Sequence, residues 1–278
     1  MPIEHIEEHE NTEFPDIEPV KEVMDIYIPD VIDGIPNRNG FIWVLSGSGG
    51  SGKTSMMLNF FRRKELYRGK FHNVYYICPK TSFDSVKDHP FKDHDKVYHE
   101  LSAELLLQLN SEIMGIKENY VMRMEKRKKK NRKNDEPRFE DEDDYDAHKE
   151  DDEPLEPQYH CIIIDDMAGA LKDKSIVKAL SLILPNARHI QTAFIFTLQS
   201  YYYFPKIMRK QITNITIYKP KKLGEWNSIA KELLLMNQED GLQLYDYVFN
   251  EPYTHLNIDT VSNLLYKNFN LLNITYHK

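Results

Sequence analysis

Cysteine is scarce: among 278 residues only Cys78 and Cys161 occur. Each sits in an apolar run, and neither has a Cys or His partner at zinc-ligand spacing. A disulfide framework and a cysteine zinc site are therefore excluded, and both side chains read as small buried hydrophobes. No run of about 18 apolar residues occurs, so no membrane-spanning helix is expected. The N-terminus is acidic and lacks the apolar stretch of a cleaved signal. A global excess of basic charge is also missing, because the net charge is -8. That excludes a generally basic nucleic-acid coat but not a local grip on DNA. What remains is an ordinary globular composition, 41% hydrophobic, with length for one large α/β domain or two small ones.

Buried strands and helices alternate along the chain. Apolar runs at Phe41–Ser46, Asn73–Cys78, Tyr159–Ile164, Ala193–Thr197 and Ile212–Tyr218 read as strands covered on both faces. Asp25–Ile28 and Tyr245–Phe249 read as further strands. Helical spacing marks Ser55–Lys64, Leu101–Ile116, Ser175–Leu184, Ser228–Met236 and Asp259–Phe269. The pattern predicts an α/β fold, a mainly parallel sheet with helices on both faces. Residues 1–24 are expected to form an acidic arm and 25–278 the main domain. A basic block (Arg123 to Lys133) followed by an acidic one (Asp135 to Glu156) is expected as a mobile charged insertion over about 118–157.

Chemistry enters with Gly47-Ser48-Gly49-Gly50-Ser51-Gly52-Lys53-Thr54, a full G-x-x-x-x-G-K-[ST] pattern between an apolar strand and a helix. Its glycines let successive backbone N–H groups turn inward onto phosphate oxygens, and the helix that starts there points its positive end at the same anion. Gly47 to Ser55 are thus the candidate ATP-binding residues, and with this loop the α/β fold is expected to be a P-loop NTPase of the RecA-like kind, residues 25–278 forming the ATPase domain. Lys53 is expected to reach the β- and γ-phosphates and Thr54 to bind Mg²⁺. Ile162-Ile163-Ile164-Asp165-Asp166 ends a buried strand in two carboxylates, with Asp165 the expected metal partner and Asp166 the candidate general base. Gln199, in Thr197-Leu198-Gln199-Ser200, is placed to sense the γ-phosphate or to position water. Arg188 and Arg209 are candidates for an arginine supplied to a neighbouring subunit's site, and His189 reads as a structural hydrogen-bonder.

Several of these stretches, in this order, resemble the DNA-packaging ATPases of large double-stranded DNA viruses and virophages, the poxvirus-type branch of the FtsK–HerA superfamily. They are Gly47–Thr54, Cys78–Ser82, Ile162–Asp166, Asn186–His189, Thr197–Ser200 and Phe204–Arg209, together spanning about residues 40–235. The resemblance implies a ring homo-oligomer that hydrolyses ATP with Mg²⁺. It implies that the ring drives double-stranded DNA, without sequence preference, into a preformed capsid through capsid or portal vertex proteins. It also implies Gln199 as the sensor and places the work in a virus-infected cell, in the viral factory or cytoplasm or with the virion. Two features depart from the pattern. Asp165-Asp166 stands where many members carry Asp-Glu, which leaves the base assignment open, and the charged insertion is additional. A nucleotide or nucleoside kinase and a nucleotide-switched binding protein are the alternatives the P-loop class leaves open.

Overall fold

The computed structural model describes residues 30–32, 34–134 and 155–274, with the side chains of 130–134 excepted. The expected acidic arm at 1–24, the strand at Asp25–Ile28 and most of the acidic block lie outside the described residues.

Nine strands form one sheet in the order β3-β2-β4-β5-β1-β6-β7-β8-β9. Its centre is made of β1 (Ile42–Ser46), β2 (Asn73–Ile77), β4 (His160–Asp165), β5 (Thr192–Leu198) and β6 (Asn214–Tyr218). These strands are mutually parallel, with the short β3 (Val97–Tyr98) added beside β2. Every residue of β1, β4 and β5 is buried, which is why these strands read as unbroken apolar runs. The α/β class and the mainly parallel sheet are as the sequence predicts. Antiparallel β7 (His255–Asp259), β8 (Leu264–Lys267) and β9 (Asn270–Leu272) extend the edge beyond β6.

Alternate residues of the central strands feed two cores. Phe41, Trp43 and Leu45 pack under α1 (Lys53–Arg62), with Tyr67 and Phe71. Ile42 and Val44 face the other layer. That layer holds α3 (Ala103–Asn134), α4 (Lys174–Ile183), α5 (Leu223–Leu233) and α6 (Gln238–Val248). Buried polar atoms between the central and edge strands are chained. Trp43 Nε1 donates to Thr216 Oγ1 at 2.9 Å, and Thr216 donates to Asn257 Oδ1 at 2.6 Å. Cys78 and Cys161 are both buried and free, as expected.

Three segments differ from the sequence reading. Tyr245–Phe249 is not a strand, because its residues close α6. Asn237 caps that helix by accepting from Asp240 N, and Gly241, Leu244 and Val248 are buried on one helical face. Asp259–Phe269 is not a helix. Asp259 Oδ1 accepts from the N–H groups of both Val261 and Ser262, a turn that reverses the chain into β8. The charged insertion starts as helix: α3 runs on through 118–134, well past the expected end at Ile116. Only its early turns, at Leu106, Leu109 and Ile113, are fully buried in the core. The rest continues on good helix-forming residues, chiefly Lys, Arg, Glu and Met.

Candidate functional site

Strands β1, β4 and β5 end level with one another, since Ser46 pairs with Leu198 and Asp165 with Thr197. The loop at Gly47 and the carboxylates of β4 therefore meet at one edge, with β5 between their strands. This is the carboxyl edge of an open α/β sheet, where such folds carry their ligands.

The glycine loop is shaped by backbone needs. Gly52 has φ 98, a left-handed value that launches α1 directly into Lys53. At Gly47 a methyl would lie 2.7 Å from Tyr218 Cβ, so only hydrogen fits. Gly49 and Gly50 open to solvent with nothing within 4 Å of an added methyl. Lys53 is held at the loop's centre, where its Nζ donates to Gly47 O at 2.6 Å and Ser48 O at 2.9 Å. Burial lowers its pKa, while the Asp166 and Asp165 carboxylates oppose that shift.

Asp165 is 1% exposed and accepts three hydrogen bonds. Its Oδ1 accepts from Thr54 Oγ1 at 3.2 Å and from Thr197 Oγ1, and its Oδ2 accepts from Tyr76 OH at 2.6 Å. Burial and the adjacent Asp165 charge drive the Tyr76 phenol far above its ordinary pKa, which keeps it a donor. Thr197 has a second task, because its Oγ1 accepts from the Asp166 backbone N–H at 3.0 Å. Asp166 adopts φ 55, which turns its side chain out of the strand direction and into solvent. There its Oδ1 accepts from Gln199 Nε2 at 3.2 Å and its Oδ2 from Ser82 Oγ at 3.3 Å. Ser82 belongs to the short α2 (Lys80–Asp84), which follows β2.

The donor set fits a hydrated magnesium ion. Mg²⁺ takes few protein ligands and keeps water and phosphate oxygens for the rest. One hydroxyl (Thr54) and one carboxylate (Asp165) beside an open backbone loop supply that number. Among the described residues no cluster of three or more His, Cys, Asp or Glu offers an all-protein cage.

Lys53, Thr54, Asp165, Asp166 and Gln199 thus come together, whereas the two arginines do not join them. Arg188 lies just before β5, at the opposite sheet edge, and its backbone packs on Gly40. The seven residues of β5 put roughly 20 Å between that edge and the P-loop. Arg209 is engaged within its own chain. Its Nη1 lies 3.0 Å from Glu232 Oε2, its Nε donates to Phe204 O at 3.2 Å, and its guanidinium stacks 4.2 Å from the Tyr201 ring. Sequence reasoning did not single out Tyr76, Ser82 or Thr197 by role. A threonine one residue from the end of a buried strand, level with the acidic strand's end, is the signal that would have found the last.

No family model matches the chain, and no curated protein matches it. Solved structures share its fold. The DNA-packaging ATPase B204 from Sulfolobus turreted icosahedral virus is similar with a TM-score of 0.53 and 16% identity, over 85% of this chain and 98% of that one. The genome packaging NTPase B204 from Sulfolobus turreted icosahedral virus 2, in complex with ATP-gammaS, gives 0.51 and 16% over 85% and 99%. ATPases 2 and 3 of EssC from Geobacillus thermodenitrificans give 0.51 and 15%, over 84% of this chain and 40% of that chain. At 15–16% identity these likenesses bear on the fold, which agrees with the α/β class read from the sequence.

Proposed function

We propose that this chain is an ATP-hydrolysing motor that moves double-stranded DNA into a viral capsid, working as a ring of identical subunits. The observation that carries the reading is the meeting of Lys53, Thr54, Asp165, Asp166 and Gln199 at one sheet edge. The likeness to packaging ATPases over most of both chains supports the motor.

The chemistry follows from the placement of each group. Backbone N–H groups of Gly47–Gly52 and the Lys53 ammonium bind the β- and γ-phosphates. Thr54 and Asp165 would hold Mg²⁺, which when bound neutralises charge on the phosphate oxygens. Asp166, solvent-facing and steadied by Ser82 and Gln199, accepts a hydrogen bond from the attacking water and orients it. Gln199 touches Asp166 from the end of β5, so it reports loss of the γ-phosphate to the segment that follows. An arginine from a neighbouring subunit completes charge stabilisation. Arg188, remote from its own chain's P-loop, suits a role across a subunit boundary. Arg209 would first have to leave Glu232. Partners beyond DNA are expected to be capsid or portal vertex proteins, and the setting an infected cell.

ATP turnover with and without duplex DNA, under conditions of oligomerisation, tests the motor. The expected result is stimulation by DNA of any sequence that fades steeply as salt rises, because the grip is on phosphates. An ATPase rate indifferent to DNA, or phosphate passed to an added nucleoside instead of water, would remove this reading.

A further inference from the structure

The first turn of α1 has two sides. Thr54 faces Asp165 at 3.2 Å, so the β4–β5 side belongs to the metal and the γ-phosphate. Gly52 looks the other way, where a methyl would lie 3.9 Å from the Tyr218 hydroxyl and 4.0 Å from the Tyr253 ring. Tyr218 is packed in place: its hydroxyl donates to Met56 Sδ at 3.3 Å and its ring lies 5.2 Å from that of His255. Tyr253, by contrast, is 73% exposed. It also stands at φ 62, a left-handed conformation unusual for a bulky residue. The turn that holds it is tied by Thr254 Oγ1, which donates to Glu251 O at 2.8 Å. It leads into β7, whose first residue, His255, pairs with Tyr218 at the end of β6, so the turn stands at the P-loop edge.

We propose that Tyr253 is the stacking platform for the base of the bound nucleoside triphosphate. The proposal rests on the P-loop reading above and adds what that reading leaves blank, the nucleoside's position. A triphosphate with its γ end beside Asp166 and Gln199 runs back along the loop. Its nucleoside must then leave on the side away from Asp165, where the exposed Tyr253 ring stands next to Gly52. The flat face of an aromatic ring suits a nucleobase, and solvent exposure leaves that face open.

Calorimetric titration of Mg-ATP and of Mg-tripolyphosphate into wild type, Lys53→Ala, Tyr253→Leu and Tyr253→Phe tests this. Tyr253→Leu, which keeps bulk but loses the π face, is expected to bind ATP about tenfold more weakly. Its affinity for tripolyphosphate is expected to stay at the wild-type value, and Tyr253→Phe to bind ATP like wild type. Tyr253→Leu with wild-type ATP affinity, or with equal losses for both ligands, would overturn the platform. A wild-type protein that binds neither ligand and matches Lys53→Ala would overturn the nucleotide site itself, and the platform with it.

Discussion

Thr197 ties both acidic residues of the site with one hydroxyl, donating to the Asp165 carboxylate and accepting from the Asp166 backbone N–H. Its side chain is 1% exposed, so water cannot replace either bond when the hydroxyl is removed. Thr197→Val keeps the shape and removes both. The expected cost is about 1–3 kcal/mol of folding stability, measured by urea denaturation, together with a fall in ATP turnover. A variant as stable and as active as wild type would show that Asp165 and Asp166 are placed by the backbone alone. The loop residues, Asp165, Asp166 and Gln199 were legible in the sequence because each ends an apolar strand in a polar group. Tyr76 and Ser82 were not, because their function is a contact across 89 and 84 positions of chain that only sheet pairing creates.

At the scale of elements, the central strands were legible because burial on both faces leaves an unbroken apolar run. The C-terminal third was harder. Tyr245–Phe249 is short and aromatic, which suits a strand by propensity, yet it is the tail of a helix set by the Asn237 cap. The end of α3 was misread for a different reason: charge content forecasts solvation, but Lys, Arg and Glu are also strong helix formers. Strand β4 carries a pH consequence of its own. Its first residue, His160, is 2% exposed, and its Nδ1 accepts from Asn73 Nδ2 at 3.1 Å. Burial first, then the His72 and Lys96 charges, lowers its pKa from 6.5 to about 4. Between those values the unfolded chain binds the proton and the folded one does not, so acid favours unfolding. Stability from this group is complete above pH 6.5 and drains away as pH falls toward 4. From pH 7.5 to 5 the loss is about 2 kcal/mol. His160→Gln is expected to lose less stability over that interval in denaturant titrations, His89 contributing in the same direction in both proteins. Equal acid sensitivity would mean that His160 is already charged in the folded state.

For the whole molecule, the sheet gathers Lys53, Thr54, Asp165, Asp166 and Gln199 at one edge and leaves Arg188 at the other. Of the two arginines the sequence puts forward, neither joins that group among the described residues: Arg209 is held by Glu232 and Arg188 packs beside Gly40. Under the proposed motor, a neighbouring subunit's arginine would finish the site and so couple turnover to movement around a ring. The proposed hydrolysis centre is tested most directly by ATP affinity and steady-state phosphate release compared across wild type, Lys53→Ala and Asp166→Asn. Wild type is expected to turn over ATP. Lys53→Ala should lose turnover through lost phosphate binding. Asp166→Asn should bind ATP about as tightly as wild type yet release phosphate at least about 100-fold more slowly. Undiminished turnover in Asp166→Asn, or turnover in wild type no greater than in Lys53→Ala, would contradict the account.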